Sequence, residues 1–273
     1  MKMVFYKTRN ELLQKYIEGY YFIFEDTDPT VIRYKTFPNN YCILSVSQNA
    51  DVLYEEGHIT VFPSPAKKIS TNLVIRYSYP IEVVYQKVVN EITFYFKPLG
   101  LNHFIPESDF FLQHEQLMDY TVSSEFNERM NEILNMGDRE QQLEAIEQYW
   151  LSKLQTRDFS LIEKLLSDLE TTDLKIDEIA KKHQFSRQYI NKLFLKNIGK
   201  TPTEYRKIHR FRNSLKKSGD IKNLTELSHK NLFYDQSHFS RVFKKYSGIG
   251  CGKYGSKIRI FRTYANNRAF RNH

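Results

Sequence analysis

Two short stretches of this 273-residue chain carry side chains able to read a nucleic-acid groove. In residues 233–248, FYDQSHFSRVFKKYSG, a helix entered at Asp235 turns Gln236, Ser237, Ser240, Arg241, Lys244 and Lys245 outward and puts Phe239, Val242, Phe243 and Tyr246 on the opposite stripe. In residues 185–199, FSRQYINKLFLKNIG, the same register turns Arg187, Gln188, Asn191 and Lys192 outward and Ile190, Leu193 and Phe194 inward. Arg and Lys suit guanine and Asn and Gln suit adenine in the major groove, while further lysines neutralise phosphates. Lys244 and Lys245 take the backbone role, and Asp235 reads as a helix cap rather than a cytosine reader.

These helices need elements to position them. A short segment precedes each, IDEIAKKH from Ile176 and LTELSHKN from Leu224, so both stretches follow the helix, turn, basic helix plan of a helix-turn-helix. The units superpose with an offset of 48 residues before the turn and 49 after it, matching Lys192 to Arg241, Phe194 to Phe243, Gly199 to Gly248 and Tyr205 to Tyr254. Ser186 is a suitable N-cap for the first reader helix, and Phe159, Ile162, Leu165, Leu166 and Leu169 predict a leading helix that supports it. Thr201, Pro202 and Glu204 then form a helix start, with Pro at the first position and a capping box. The helix they open runs to about residue 217, with Tyr205, Ile208, Phe211 and Leu215 as its packing side. About 15 residues at ~1.5 Å each make a strut of roughly 22 Å, which with its end units suits readers set ~34 Å apart on DNA.

Over residues 159–262 this pairing resembles the DNA-binding region of the AraC/XylS family of bacterial transcription regulators, and DQSHFSRVFKK is nearly the family signature. Ser228, Leu232 and Cys251 stand where that family usually has Ala, Gly and Pro. A Leu at a position that often needs positive φ is strained, which predicts a second turn built differently. The resemblance implies an α+β chain: an N-terminal cupin-like β-barrel with flanking helices that senses or dimerises, and a C-terminal all-α double helix-turn-helix domain. It implies double-stranded DNA at operators or promoters and RNA polymerase as partners, a cytoplasmic, nucleoid-associated location, and leaves a small-molecule effector and a homodimer open.

Charge divides the chain at the same place. Residues 1–157 hold 15 Lys and Arg against 21 Asp and Glu, whereas residues 158–273 hold 25 against 11. The basic half is where both motifs lie, which makes nucleic acid the polyanion to expect. The expected domains are therefore residues 1–157 and 158–273, joined near residues 153–158. No apolar run of ~18 residues predicts a membrane span, and MKMVFYKTRNELL lacks the apolar core of a secretory signal. Cys42 and Cys251 lie far apart in different expected domains, so neither a disulfide nor a zinc site is expected.

The first half reads as short strands at residues 19–24, 31–36, 41–47, 52–54, 58–62, 73–77, 81–88 and 91–96, separated by turn residues such as Pro38-Asn39-Asn40 and Glu56-Gly57. That pattern predicts a small antiparallel barrel or double sheet. His58, His103 and His114 are scattered, with no closely spaced pair to hold a metal, and Ser64 and Cys42 have no partner His at a recognisable spacing. The chain is therefore read as a non-enzyme without metal or cofactor. The readings from other classes are a cupin-like enzyme and an architectural or protein-binding factor that does not bind operators. Tyr34, Tyr41, Tyr54, Tyr77, Tyr85, Phe94 and Phe96 suit either an effector pocket or plain core, and core is the reading adopted. Helical stretches at residues 123–136 and 139–154 either pack a dimer or cover the barrel's open face.

Overall fold

The computed structural model describes residues 2–24, 31–114, 117–217 and 236–248. Among the described residues the first part of the chain forms ten strands: β1 Lys2–Tyr6, β2 Ile17–Phe24, β3 Ile32–Thr36, β4 Cys42–Gln48, β5 Ala50–Glu55, β6 His58–Pro63, β7 Ile69–Val74, β8 Ile81–Tyr85, β9 Glu91–Phe96 and β10 Leu117–Asp119. They make a six-stranded sheet in the order β1-β2-β9-β4-β7-β10 and a four-stranded sheet in the order β3-β8-β6-β5.

Side-chain alternation builds two cores from one sheet. All of β9 is buried, because Ile92, Phe94 and Phe96 point to one face while Glu91, Thr93 and Tyr95 point to the other. The first face receives α2 (Phe126–Leu134) and α3 (Arg139–Lys153). Trp150 is the centre of that layer, with Phe94, Phe96 and Phe104 ring centroids 5.2, 5.0 and 5.2 Å away. The second face looks across at the four-stranded sheet, where Tyr21, Ile43 and Tyr95 meet Ile81, Val83 and Tyr85.

The expected double sheet is present, with three corrections. β6 and β8 run parallel, not antiparallel, because β7 crosses into the other sheet between them and returns the chain to its starting end. β1 and β10 were absent from the sequence reading; both are edge strands, paired on one side only. The strand expected at residues 73–77 lies earlier, at Ile69–Val74. Of the two roles open to α2 and α3, covering the sheet is the one seen, since Phe126, Met130, Ile133, Leu143, Ile146 and Trp150 are all spent on its core.

After a one-turn helix, α1 (Phe110–Gln113), and the α2–α3 pair come α4 (Ser160–Thr171), α5 (Ile176–Lys182), α6 (Arg187–Ile198), α7 (Pro202–Lys217) and α8 (Gln236–Ser247). Leu165, Leu169, Ile179, Ile190, Phe194 and Tyr205 form the core of the first helical unit. No described helix is long and apolar enough to cross a membrane.

Candidate nucleic-acid interface

The first reader helix is set by local chemistry. Ser186 caps α6, its side chain accepting from the Tyr189 amide at 3.1 Å. Gly199 ends it in the left-handed region at φ 73°, where glycine carries no Cβ penalty. Asp168 of α4 accepts from Lys182 Nζ at the end of α5 and from Nε2 of the next residue, His183, both at 2.7 Å, which fixes the entry to the turn. Within that turn Gln184 has φ 60°. It occupies the position that matches Leu232 in the second unit, so the first turn does adopt the left-handed geometry without a glycine. Leu232, Ser228, Cys251 and Asp235 lie outside the described residues.

Ile190 and Phe194 are buried, whereas Arg187, Gln188 and Lys192 are exposed and Asn191 is half-buried on the neighbouring face. Arg187 Nη1 reaches Asp177 Oδ2 of α5 at 3.3 Å. In α8, Val242, Phe243 and Tyr246 are buried, Arg241, Lys244 and Lys245 are exposed, and Ser240 is half-buried. Gln236 and Ser237 open that helix, but their side chains lie outside the described residues. The strut α7 joins the two units: Thr201 Oγ1 accepts from the Glu204 amide at 3.2 Å, Tyr205 meets Phe194 at 6.1 Å, and Phe211 meets Phe243 and Tyr246 at 5.6 and 5.4 Å.

The sequence reading missed an aromatic pair on this surface. Phe185 and Tyr189 stack at 4.9 Å beside Arg187 while remaining 37% and 43% exposed. An aromatic just before the Ser186 cap and another at an outward position of the first turn of α6 were the available signal.

The β-rich part grips this reader closely. Asp109 pairs with Lys196 of α6 at 2.8 Å, Asn102 Nδ2 donates to the Asn197 carbonyl at 3.1 Å, and Asn40 Nδ2 donates to the Tyr205 carbonyl at 3.1 Å. Phe37 sits edge-on to Phe211 at 6.2 Å. Gly199 lies so near Phe111 and Arg76 that a Cβ would come within 3.1 and 3.2 Å of them. Lys200, only 1% exposed, donates to the Ile75 carbonyl at 3.4 Å. Burial pushes its ammonium down to about 8, with Arg76 adding to the effect and Glu204 opposing it.

Between the sheets lies a cavity of about 60 Å³ whose lining includes Tyr34, Tyr54, Tyr77 and Tyr85. Phe94 and Phe96 instead belong to the helix-covered core, and Tyr41 packs half-buried beside the inter-sheet core. The three histidines of the β part are engaged separately: His58 with Glu82 at 3.2 Å, His103 with the Gln155 carbonyl at 2.9 Å and His114 with the Phe110 carbonyl at 3.0 Å. Burial pushes the Cys42 thiol up to about 12, away from the thiolate a nucleophile needs.

Comparison with known proteins agrees with the helical part of this description. Residues 179–256 match a helix-turn-helix domain family. Over 137 residues the chain is 30% identical to the Msm operon regulatory protein of Streptococcus mutans, covering 47% of this chain and 49% of that protein. The chain thus spans about half the length of the curated relative it matches. Among solved structures, ToxT from Vibrio cholerae superposes with a TM-score of 0.45 at 16% identity, covering 83% of this chain and 97% of that one. A transcriptional regulator with an AraC-type DNA-binding domain from Chromobacterium violaceum superposes with a TM-score of 0.30 at 20% identity, covering 39% of this chain and 88% of that one.

Proposed function

We propose that this chain, whose residues 179–256 match a helix-turn-helix domain family, is a sequence-specific DNA-binding transcription regulator of the AraC/XylS type. Residues 1–157 act as its sensor or dimerisation domain and residues 158–273 as its reader. The observation that carries the reading is the outward, polar and basic face of α6, set on a capped helix inside the half of the chain that holds the excess positive charge. Arg187, Gln188, Asn191 and Lys192 meet base edges in one major groove, and Gln236, Ser237, Ser240 and Arg241 meet them in the next. Lys244 and Lys245 neutralise phosphates. The partners are double-stranded DNA, RNA polymerase at the promoter and a small-molecule effector, and the work is done in the cytoplasm on the nucleoid. The chemistry is recognition rather than catalysis.

Control by an effector is supported by the joint between the parts. Tyr77 lines the inter-sheet cavity, and its hydroxyl donates to the Phe37 carbonyl at 2.5 Å, accepts from Asn39 Nδ2 at 3.2 Å and lies 2.9 Å from Thr36 Oγ1. The same loop presents Phe37 to Phe211 and Asn40 to Tyr205, both on α7. A change in the cavity therefore has a short, packed route to the strut that spaces the readers.

Selection of bound fragments from genomic DNA, with and without cell extract as a source of effector, tests the proposal. Enriched sites should hold two half-sites about one helical turn (~34 Å) apart, and binding should weaken steeply with salt. Fragments no different from a random sample would reject the regulator reading.

A further inference from the structure

The cavity between the sheets has an unusual lining. Rings of Tyr21, Tyr34, Tyr54, Tyr77, Tyr85 and Tyr95 surround it, together with one carboxylate, Glu91. Glu91 is only 1% exposed. It accepts from the Tyr85 hydroxyl at 2.9 and 3.0 Å, from Ser47 Oγ at 2.9 Å and from Thr93 Oγ1 at 2.8 Å. Those three hydroxyls supply one proton fewer than the about four that a carboxylate can accept, and Glu91 itself lines the cavity. Among the described residues no Lys, Arg or His lines the cavity and none forms an ion pair with Glu91. Burial pushes its carboxyl above the usual range, against the pull of those three hydroxyls.

Two features of this recess favour one kind of guest. A buried carboxylate without a counter-ion gains strongly from a cation brought beside it, and the faces of aromatic rings attract cations as well. Tyr34 and Tyr85 lie nearly parallel with centroids 6.3 Å apart. An anion would meet the like charge of Glu91, and a long apolar chain has no room. A cavity of about 150 Å³ accommodates benzene. At about 60 Å³, this one suits a head group of roughly two or three heavy atoms by proportion. The lining passes from buried Glu91 and Tyr85 to half-buried Tyr34, Val52, Tyr54 and Ile59, so a larger ligand could leave its tail at the rim.

We propose that the inter-sheet cavity binds a small organic cation, a primary ammonium group, with its charge against Glu91 and its body between the tyrosine rings. This deepens the reading of the β domain as an effector sensor and rests on it for any effect on DNA, although the binding itself needs no DNA.

The test uses the full chain without DNA, so failure of the cation site and failure of the regulator reading are separate results. Calorimetry or ligand-observed NMR at constant ionic strength compares methylammonium with methanol and ethylammonium with ethanol, pairs alike in size and different in charge. At least one cation should bind saturably and about tenfold or more tighter than its neutral twin. Glu91→Gln should abolish that preference. Tyr34→Ala, a rim change outside the hydrogen bonds to Glu91, should weaken the cation severalfold and decides the matter if Glu91→Gln does not fold. Equal binding of charged and neutral twins, no saturable binding of either cation, or full preference in a folded Glu91→Gln protein would each overturn the proposal.

Discussion

Replacing Lys200 by Met should stabilise this protein at neutral pH, although Lys200 is among its most buried residues. Its ammonium sits at the joint of the two parts, 1% exposed, with one long hydrogen bond of 3.4 Å to the Ile75 carbonyl. Burial lowers the group from 10.5 to about 8 in the folded chain. Because the folded value lies below the unfolded one, the unfolded chain holds more protons between the two, and stability rises with pH across that window. Below pH 8 both states are charged and the full penalty applies. The gap is worth roughly 3 kcal/mol. Met fills a similar volume without the charge but leaves the Ile75 carbonyl without its donor, at about 1 kcal/mol. The expected net gain is therefore about 2 kcal/mol at pH 7, shrinking from pH 8 upward, gone at roughly pH 9.5–10 and turned into a loss of about 1 kcal/mol by pH 10.5. Urea unfolding of both proteins at several pH values between 7 and 10.5 measures the difference directly, and effects common to both cancel. A Met variant that is less stable at pH 7, or whose gain does not change with pH, would refute the reasoning.

Lys192→Ala and Arg241→Ala should each weaken binding to a selected DNA site by about 1–3 kcal/mol and relax the preference at one base; gel-shift titrations that match the parent for both would move the readers elsewhere. Phe211→Ala removes a fully buried ring that touches Phe37, Phe243 and Tyr246, and should cost ~3–5 kcal/mol in urea unfolding. A loss under ~1 kcal/mol would show that the strut and the β part do not share one core. Tyr77→Phe leaves the Phe37 carbonyl without its donor and should cost ~1–3 kcal/mol, together with faster amide exchange at residues 37–41. Unchanged exchange there would break the proposed route from cavity to strut.

The reader helices were legible in the sequence because everything that defines them is local. The Ser186 cap, the terminal Gly199 and the inward Ile190 and Phe194 fall within one stretch of 14 residues, and helical spacing alone sorts its outward face from its inward one. The Pro202 start of α7 was equally local. β9 was also read at its true limits, residues 91–96, since a run of β-forming residues between turns is again a local signal. Alternation along β9 separates Ile92, Phe94 and Phe96 from Glu91, Thr93 and Tyr95, but it does not say which of the two faces meets helices and which a second sheet.

Tertiary structure decided the rest. The parallel pairing of β6 with β8 depends on where β7 crosses over, and β1 and β10 are strands only because β2 and β7 offer them free edges. Lys200 and Glu91 look in the sequence like ordinary surface charges. One is buried by Ile75, 125 positions away, and the other by Tyr85 and by Ser47, 44 positions away. A residue's hydration is set by whatever the fold brings against it, and chain neighbours carry no record of that.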